Sequence, residues 1–79
     1  MQINEAKIRF DAGQLTGAHI LPAVAAERGW TISIDIKGGS YDTIRTKRDS
    51  YPREFRTLDA AYKAVREIGF RKATVREAF

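Results

Sequence analysis

Residues 30–36 read Trp-Thr-Ile-Ser-Ile-Asp-Ile, and this strict alternation narrows the possible folds more than any other feature of the chain. Side chains of a β-strand point alternately to opposite faces. Trp30, Ile32, Ile34 and Ile36 therefore share one face, and Thr31, Ser33 and Asp35 share the other. The apolar face needs a cover and the polar face tolerates water, so the strand belongs to a sheet packed on one side. Lys37-Gly38-Gly39-Ser40 and a second run from Tyr41 to Lys47 follow, which predicts a hairpin.

The turn decides what the second strand displays. A two-residue Gly38-Gly39 loop pairs Ile36 with Tyr41 and Ile34 with Thr43, and leaves Ile44 on the polar face. A three-residue Gly38-Gly39-Ser40 loop pairs Lys37 with Tyr41 and Ile34 with Ile44. A slip of one residue sends every side chain to the opposite face, so the register that buries Ile44 is expected. Three-residue loops with a left-handed glycine are also a common hairpin class. Tyr41, Thr43, Arg45 and Lys47 then stand away from the isoleucines, beside Thr31, Ser33 and Asp35.

Helices must cover the isoleucine face. Leu58, Ala61, Tyr62, Val65 and Ile68 fall on one helical stripe, with Thr57 as N-cap, Asp59 in the first turn and Gly69 ending the helix so that Phe70 folds back on Val65. A shorter N-terminal helix is expected with Asn4 as N-cap, Ile3 stapled to Ile8, and Gly13 as terminator. So short a helix is marginal alone and has to dock, turning Ile8 and Phe10 inward. Gly17 to Val24 contains Pro22, which lacks a ladder donor, and reads as an edge strand. The stretch around Pro52 reads as an irregular return, and a last short strand is expected around Ala73 and Val75. These elements sum to one α+β domain over residues 1–79, in the order α-β-β-β-α-β. A small antiparallel sheet of three or four strands would carry both helices on one face. Its expected core is Ile8, Phe10, Ile20, Trp30, Ile32, Ile34, Ile44, Leu58, Tyr62, Val65 and Phe70.

At 79 residues, a domain buries only about 60% of the surface its unfolded chain exposes, which leaves little room for a deep two-lobed cleft. The sequence has no cysteine, so neither disulfides nor thiolate metal sites stabilise it, and a reducing cytoplasm is the expected compartment. No run approaches the roughly 20 apolar residues of a membrane span. The net charge of +4 is unevenly placed. Residues 1–44 carry four basic groups against five acidic ones, whereas residues 45–76 carry ten against four. Such asymmetry favours an anionic partner.

Enzymatic chemistry finds few of its parts. The one histidine, His19, lies in the least polar segment, where a hydrogen-bonded structural role is expected, and no second histidine or cysteine completes a metal set. Asp35 and Asp42 point to opposite faces in the preferred register. "KGGS" lacks the spacing and the strand-to-helix setting of a phosphate loop. The basic set does have a mechanism. Arg45 and Lys47 with Tyr41 and Thr43 on an open sheet face, extended by Arg48, Arg53 and Arg56, would place donors on phosphates or base edges. A ribbon or sheet can enter the major groove of DNA, and exposed Tyr41 could stack on a base. The alternative is a solvated basic face on a protein-interaction or self-association module.

Two resemblances bear on this. "REFRTLDAAYKAV" after a basic hairpin resembles the end of the three-stranded, one-helix arm-binding domains of phage-type integrases. In that family the sheet face binds the DNA major groove. The resemblance spans Trp30 to Ile68 and implies DNA contacts for Arg45 and Lys47. The segments "AKIRFDAGQLTGAHILPA", "GWTISI" and "FRTLDAAYKAVREIGFRKATVR" are similar to short proteins of plasmids and integrative conjugative elements named for plasmid replication or partition. That second resemblance implies a mobile-element setting. The expectation is a non-enzymatic DNA-binding protein of plasmid or mobile-element maintenance. It would use no cofactor, metal or small-molecule substrate, would not engage a membrane, and would have a homodimer within reach.

Overall fold

The computed structural model describes residues 1–23, 29–46 and 51–76. Its elements follow the expected α+β order: α1 (Ile3–Asp11), β1 (Leu15–Pro22), β2 (Trp30–Ile36), β3 (Ser40–Thr43), α2 (Leu58–Ile68) and β4 (Thr74–Val75). The sheet runs β3-β2-β1-β4. β1, β2 and β3 are antiparallel neighbours, but β4 lies parallel to β1, so the sheet is mixed rather than antiparallel. β3 and β4 point the same way, and α2 carries the chain between the two edges, as parallel strands require. Among the described residues no helix is long and apolar enough to cross a membrane.

β1 is consequently a central strand and not the edge strand that Pro22 implied. β4 registers with only His19 and Ile20. On that side Ile20 O accepts the Arg76 N–H at 2.9 Å, and strand alternation aims the donor Pro22 lacks in the same direction, past the end of β4. The next donor of that ladder would be the N–H of residue 22, aimed at Arg76 O, so the proline ends the pairing at Val75.

The hairpin pairs Ile36 with Ser40, Asp35 with Tyr41, Ile34 with Asp42 and Ser33 with Thr43. Its loop is Lys37-Gly38-Gly39, one residue earlier than expected. The glycines, with φ of 103° and 98°, take its last two places, a region that costs other residues strain. The pairing partners move by two residues, which preserves the faces. Tyr41 and Thr43 still oppose the isoleucines, and fully buried Ile44 donates its N–H to Ile32 O at 2.9 Å.

The covered face presents Ala18, Ile20, Ile32, Ile34 and Ile44 to Ala61, Ala64, Val65 and Ile68 of α2 and Ala6 of α1, with Met1, Leu15 and Phe55 closing the rim. Thr57 caps α2 as expected, its Oγ1 accepting the Ala60 N–H at 3.0 Å. α1 differs from expectation. Gln2 rather than Asn4 stands at the N-cap, and Ile8 is 71% exposed. At 100° per residue, Ile3, Ala6 and Phe10 share a stripe and Ile8 lies roughly 140–160° from each of them. The small Ala6 makes the close approach, so the expected Ile3–Ile8 staple and the inward Ile8 both fail. Leu58, at the end of the α2 stripe, is 39% exposed and not a core residue. At the other end of α2, Val65 O accepts the N–H groups of both Gly69 and Phe70 at 3.3 Å. The Phe70 ring meets Phe10 edge-on, with centroids 4.8 Å apart.

Candidate nucleic-acid interface

β3 ends at Thr43, and the chain then leaves the sheet and returns. Arg45 pairs with Pro52 in an antiparallel bridge, flanked by hydrogen bonds from Thr46 N–H to Tyr51 O (3.4 Å) and from Arg53 N–H to Ile44 O (2.9 Å). This is a non-hydrogen-bonded pair, so the missing donor of Pro52 is not needed. Phe55 then resumes the place beside β2, exchanging two 2.8 Å hydrogen bonds with Trp30. The return is irregular, as expected, and an isolated bridge ties it to the departing chain, forming a short ribbon whose described legs are 44–46 and 51–53. Lys47 and Arg48 lie outside the described residues.

Met1 flanks this corner. Its ammonium donates to Asp42 Oδ2 at 2.8 Å and Thr43 O at 2.9 Å, and its carbonyl accepts the Arg45 N–H at 2.8 Å. The Asp42 Oδ1 accepts the Thr43 N–H at 2.9 Å and Arg45 Nη2 at 3.3 Å. Burial opposes ionisation of Asp42. The hydrogen bonds from the ammonium and the Thr43 N–H, with the charges of the ammonium and Arg45, outweigh it and hold the carboxyl below its ordinary value.

Arg45 is therefore not on the open sheet face. It turns to Asp42, which stands opposite Ile34 on the covered side, and lines a cleft of about 290 Å³ at the start of α1 with Ile3, Arg53 and Glu67. The Met1 ammonium, Arg45 and Arg53 stand there against the carboxylates of Asp42 and Glu67, so cations exceed acids at this corner by one. Arg53 is exposed with its guanidinium 5.1 Å from the Phe55 ring centroid, and Arg56 is exposed nearby in sequence. Tyr41, 73% exposed, and half-buried Thr43 do lie on the open face. The four strands contain no lysine or arginine between them, so that face is not the basic surface the sequence led us to expect. Among the described residues of the expected basic set, Arg45 and Arg53 lie beside the ribbon at its end.

The open face instead carries a pair that sequence reading did not connect. His19 Nε2 lies 2.6 Å from Asp35 Oδ2. Gly17 is the register partner of Asp35, and a Cβ on Gly17 would stand 3.1 Å from that oxygen, so the missing side chain admits the carboxylate. His19 Nδ1 is buried without a hydrogen-bond partner. The one available signal was Gly17 two residues before His19 in an apolar run, legible only once β1 is registered on β2. Among the described residues no group of three or more metal-ligating side chains converges. Comparison with family models, curated proteins and solved structures gives no match.

Proposed function

We propose that the protein binds DNA without catalysis, through the ribbon that follows β3, in the cytoplasmic maintenance of a plasmid or other mobile element. The observation that carries this reading is the ribbon itself. It brings Arg45, Arg53 and exposed Tyr51 together on paired legs, with Arg56 just beyond, and the sequence between the legs contributes Lys47 and Arg48. Two strands have the width that a DNA major groove admits. Contacts from such cations go chiefly to phosphates and supply affinity and position rather than sequence recognition. Asp35 on the open face would repel a phosphate backbone, which favours the ribbon over the flat sheet as the grip. The mobile-element setting rests on the sequence resemblance alone.

Salt dependence tests the proposal. If Arg45, Lys47, Arg48, Arg53 and Arg56 each neutralise one phosphate, log K for a short duplex falls with log salt at a slope of about −4.5. A slope near zero defeats the reading. The competing role, association between copies, is favoured by Ile8, which is 71% exposed on the outer side of α1. It predicts that Ile8→Ser changes the size-exclusion profile while duplex binding stays as it was.

A further inference from the structure

β4 registers with only His19 and Ile20 of the eight residues of β1. Beside the remainder of β1 lies a cleft of about 820 Å³, well within the range of small-ligand sites. Its lining divides into three parts. Phe10 and Phe70 supply an aromatic edge, His19 and Asp35 with the hydroxyls of Thr16 and Thr74 supply hydrogen-bonding groups, and exposed Arg71 and Lys72 supply positive charge. Asp35 belongs to β2, whereas Arg71 and Lys72 lead into β4, on the far side of β1. Two strand spacings, about 10 Å, separate the two lines.

A ligand that fits this order needs N–H donors for Asp35, a flat apolar body for the aromatic edge, and an anionic group for the two cations. An aromatic carboxylate has no donor to offer Asp35, and inorganic phosphate has no body to offer Phe10 and Phe70. A nucleotide has all three, with amino or imino groups on its base edge, a π-face, and a phosphate at the far end. We propose that this cleft is a nucleotide subsite. It takes one unpaired nucleotide, base edge towards Asp35 and His19 and phosphate towards Arg71 and Lys72.

The walls are shaped by close approaches. Gly17 makes room for the Asp35 carboxylate, and Gly69 makes room for Phe10, whose Cδ1 lies 2.5 Å from where a Cβ would stand. The Tyr62 hydroxyl donates to Arg71 O at 3.0 Å and fixes the start of the cationic segment. The inference deepens the nucleic-acid reading and rests on it for the class of ligand, but it concerns different residues, so each can fail alone.

The test is amide chemical-shift titration of the labelled chain with adenosine 5′-monophosphate, adenosine and inorganic phosphate in parallel, followed by a short duplex. The expected result is saturable shifts at Thr16, His19, Phe70 and Thr74 with the nucleotide, and weaker binding of adenosine or phosphate alone. Arg71→Glu with Lys72→Glu, both at exposed positions, should weaken the nucleotide by about tenfold or more while distant amides keep their shifts. Arg53→Glu with Arg56→Glu should leave nucleotide binding intact and weaken the duplex. No saturable shift, an equal response to phosphate alone, or undiminished binding by the Arg71 and Lys72 double variant overturns the subsite. Absence of duplex binding by the parent chain, or undiminished duplex binding by the Arg53 and Arg56 double variant, with the nucleotide response intact, removes the ribbon reading and leaves the subsite standing.

Discussion

The Met1 ammonium lies 2.8 Å from Asp42 Oδ2, at the rim of a core whose nearest strand partner, Ile34, is fully buried. A carboxylate drawn partly out of water needs compensation, and Asp42 has the ammonium, the Thr43 N–H and Arg45. Its pKa is lowered in the fold. A carboxyl with a lower folded pKa adds stability above its unfolded value, and that stability is lost as pH falls through the folded value. The loss should thus set in as pH drops towards and below 3.8. Urea unfolding of Asp42→Asn should show a cost of about 1–2 kcal/mol at neutral pH and a shallower acid decline than the parent chain. Parallel pH curves for the two chains would remove this role for the pair.

Two glycines with positive φ separate backbone strain from steric clash. Gly13 has φ +75° and open space around it, whereas Gly69 has φ +135° and the Phe10 ring against it. Gly13→Ala should cost about 1 kcal/mol by strain alone. Gly69→Ala adds displacement of the Phe10 ring from Phe70 and should cost about 2–4 kcal/mol. Equal urea midpoints for the two variants would mean that Phe10 yields freely.

Gly17→Ala probes the opposite situation. The crowded group is the Asp35 carboxylate, 44% exposed and able to swing into water. Stability should therefore change by less than about 1 kcal/mol. The His19 ring nitrogens should nevertheless shift in ¹⁵N spectra as Nε2 loses its partner. Unaltered ring shifts would show that the carboxylate accommodates the methyl without leaving.

What the sequence revealed, and what it hid, follows the range of the forces involved. Ile32, Ile34 and Ile44 were legible as core because alternation is a local pattern, and Thr57 as a cap because its hydrogen bond reaches only to Ala60. Ile8 misled because the contact of α1 is made by Ala6, a residue whose value in a core depends on how closely two helices approach. The hairpin loop was misplaced by one residue, yet the faces survived, since sides depend on parity rather than on partner. The bridge at Pro52 was not legible in the stretch read as an irregular return, because a strand position that needs no donor is defined by its partner, Arg45. Arg45 itself could not be placed from the sequence. Its direction is set by Asp42 and by Met1, which lies 41 residues before Asp42 in the sequence.

That placement makes the basic residues unequal as probes of DNA binding. Arg45→Glu would set a second carboxylate beside Asp42 in place of its guanidinium partner, so a loss of binding would mix lost contact with a damaged corner of the fold. Arg53 and Arg56 are exposed, and among the described residues Arg53 gives up only its position over the Phe55 ring, worth about 0.5–1 kcal/mol at an exposed site. Arg53→Gln with Arg56→Gln should then lower the melting temperature by about 2–8 °C and leave the chain folded at room temperature. If both contact phosphates, the slope of log K against log salt becomes shallower by about 1.8. A slope that stays at the parent value while the fold is intact would place the DNA contact elsewhere than on the returning leg of the ribbon.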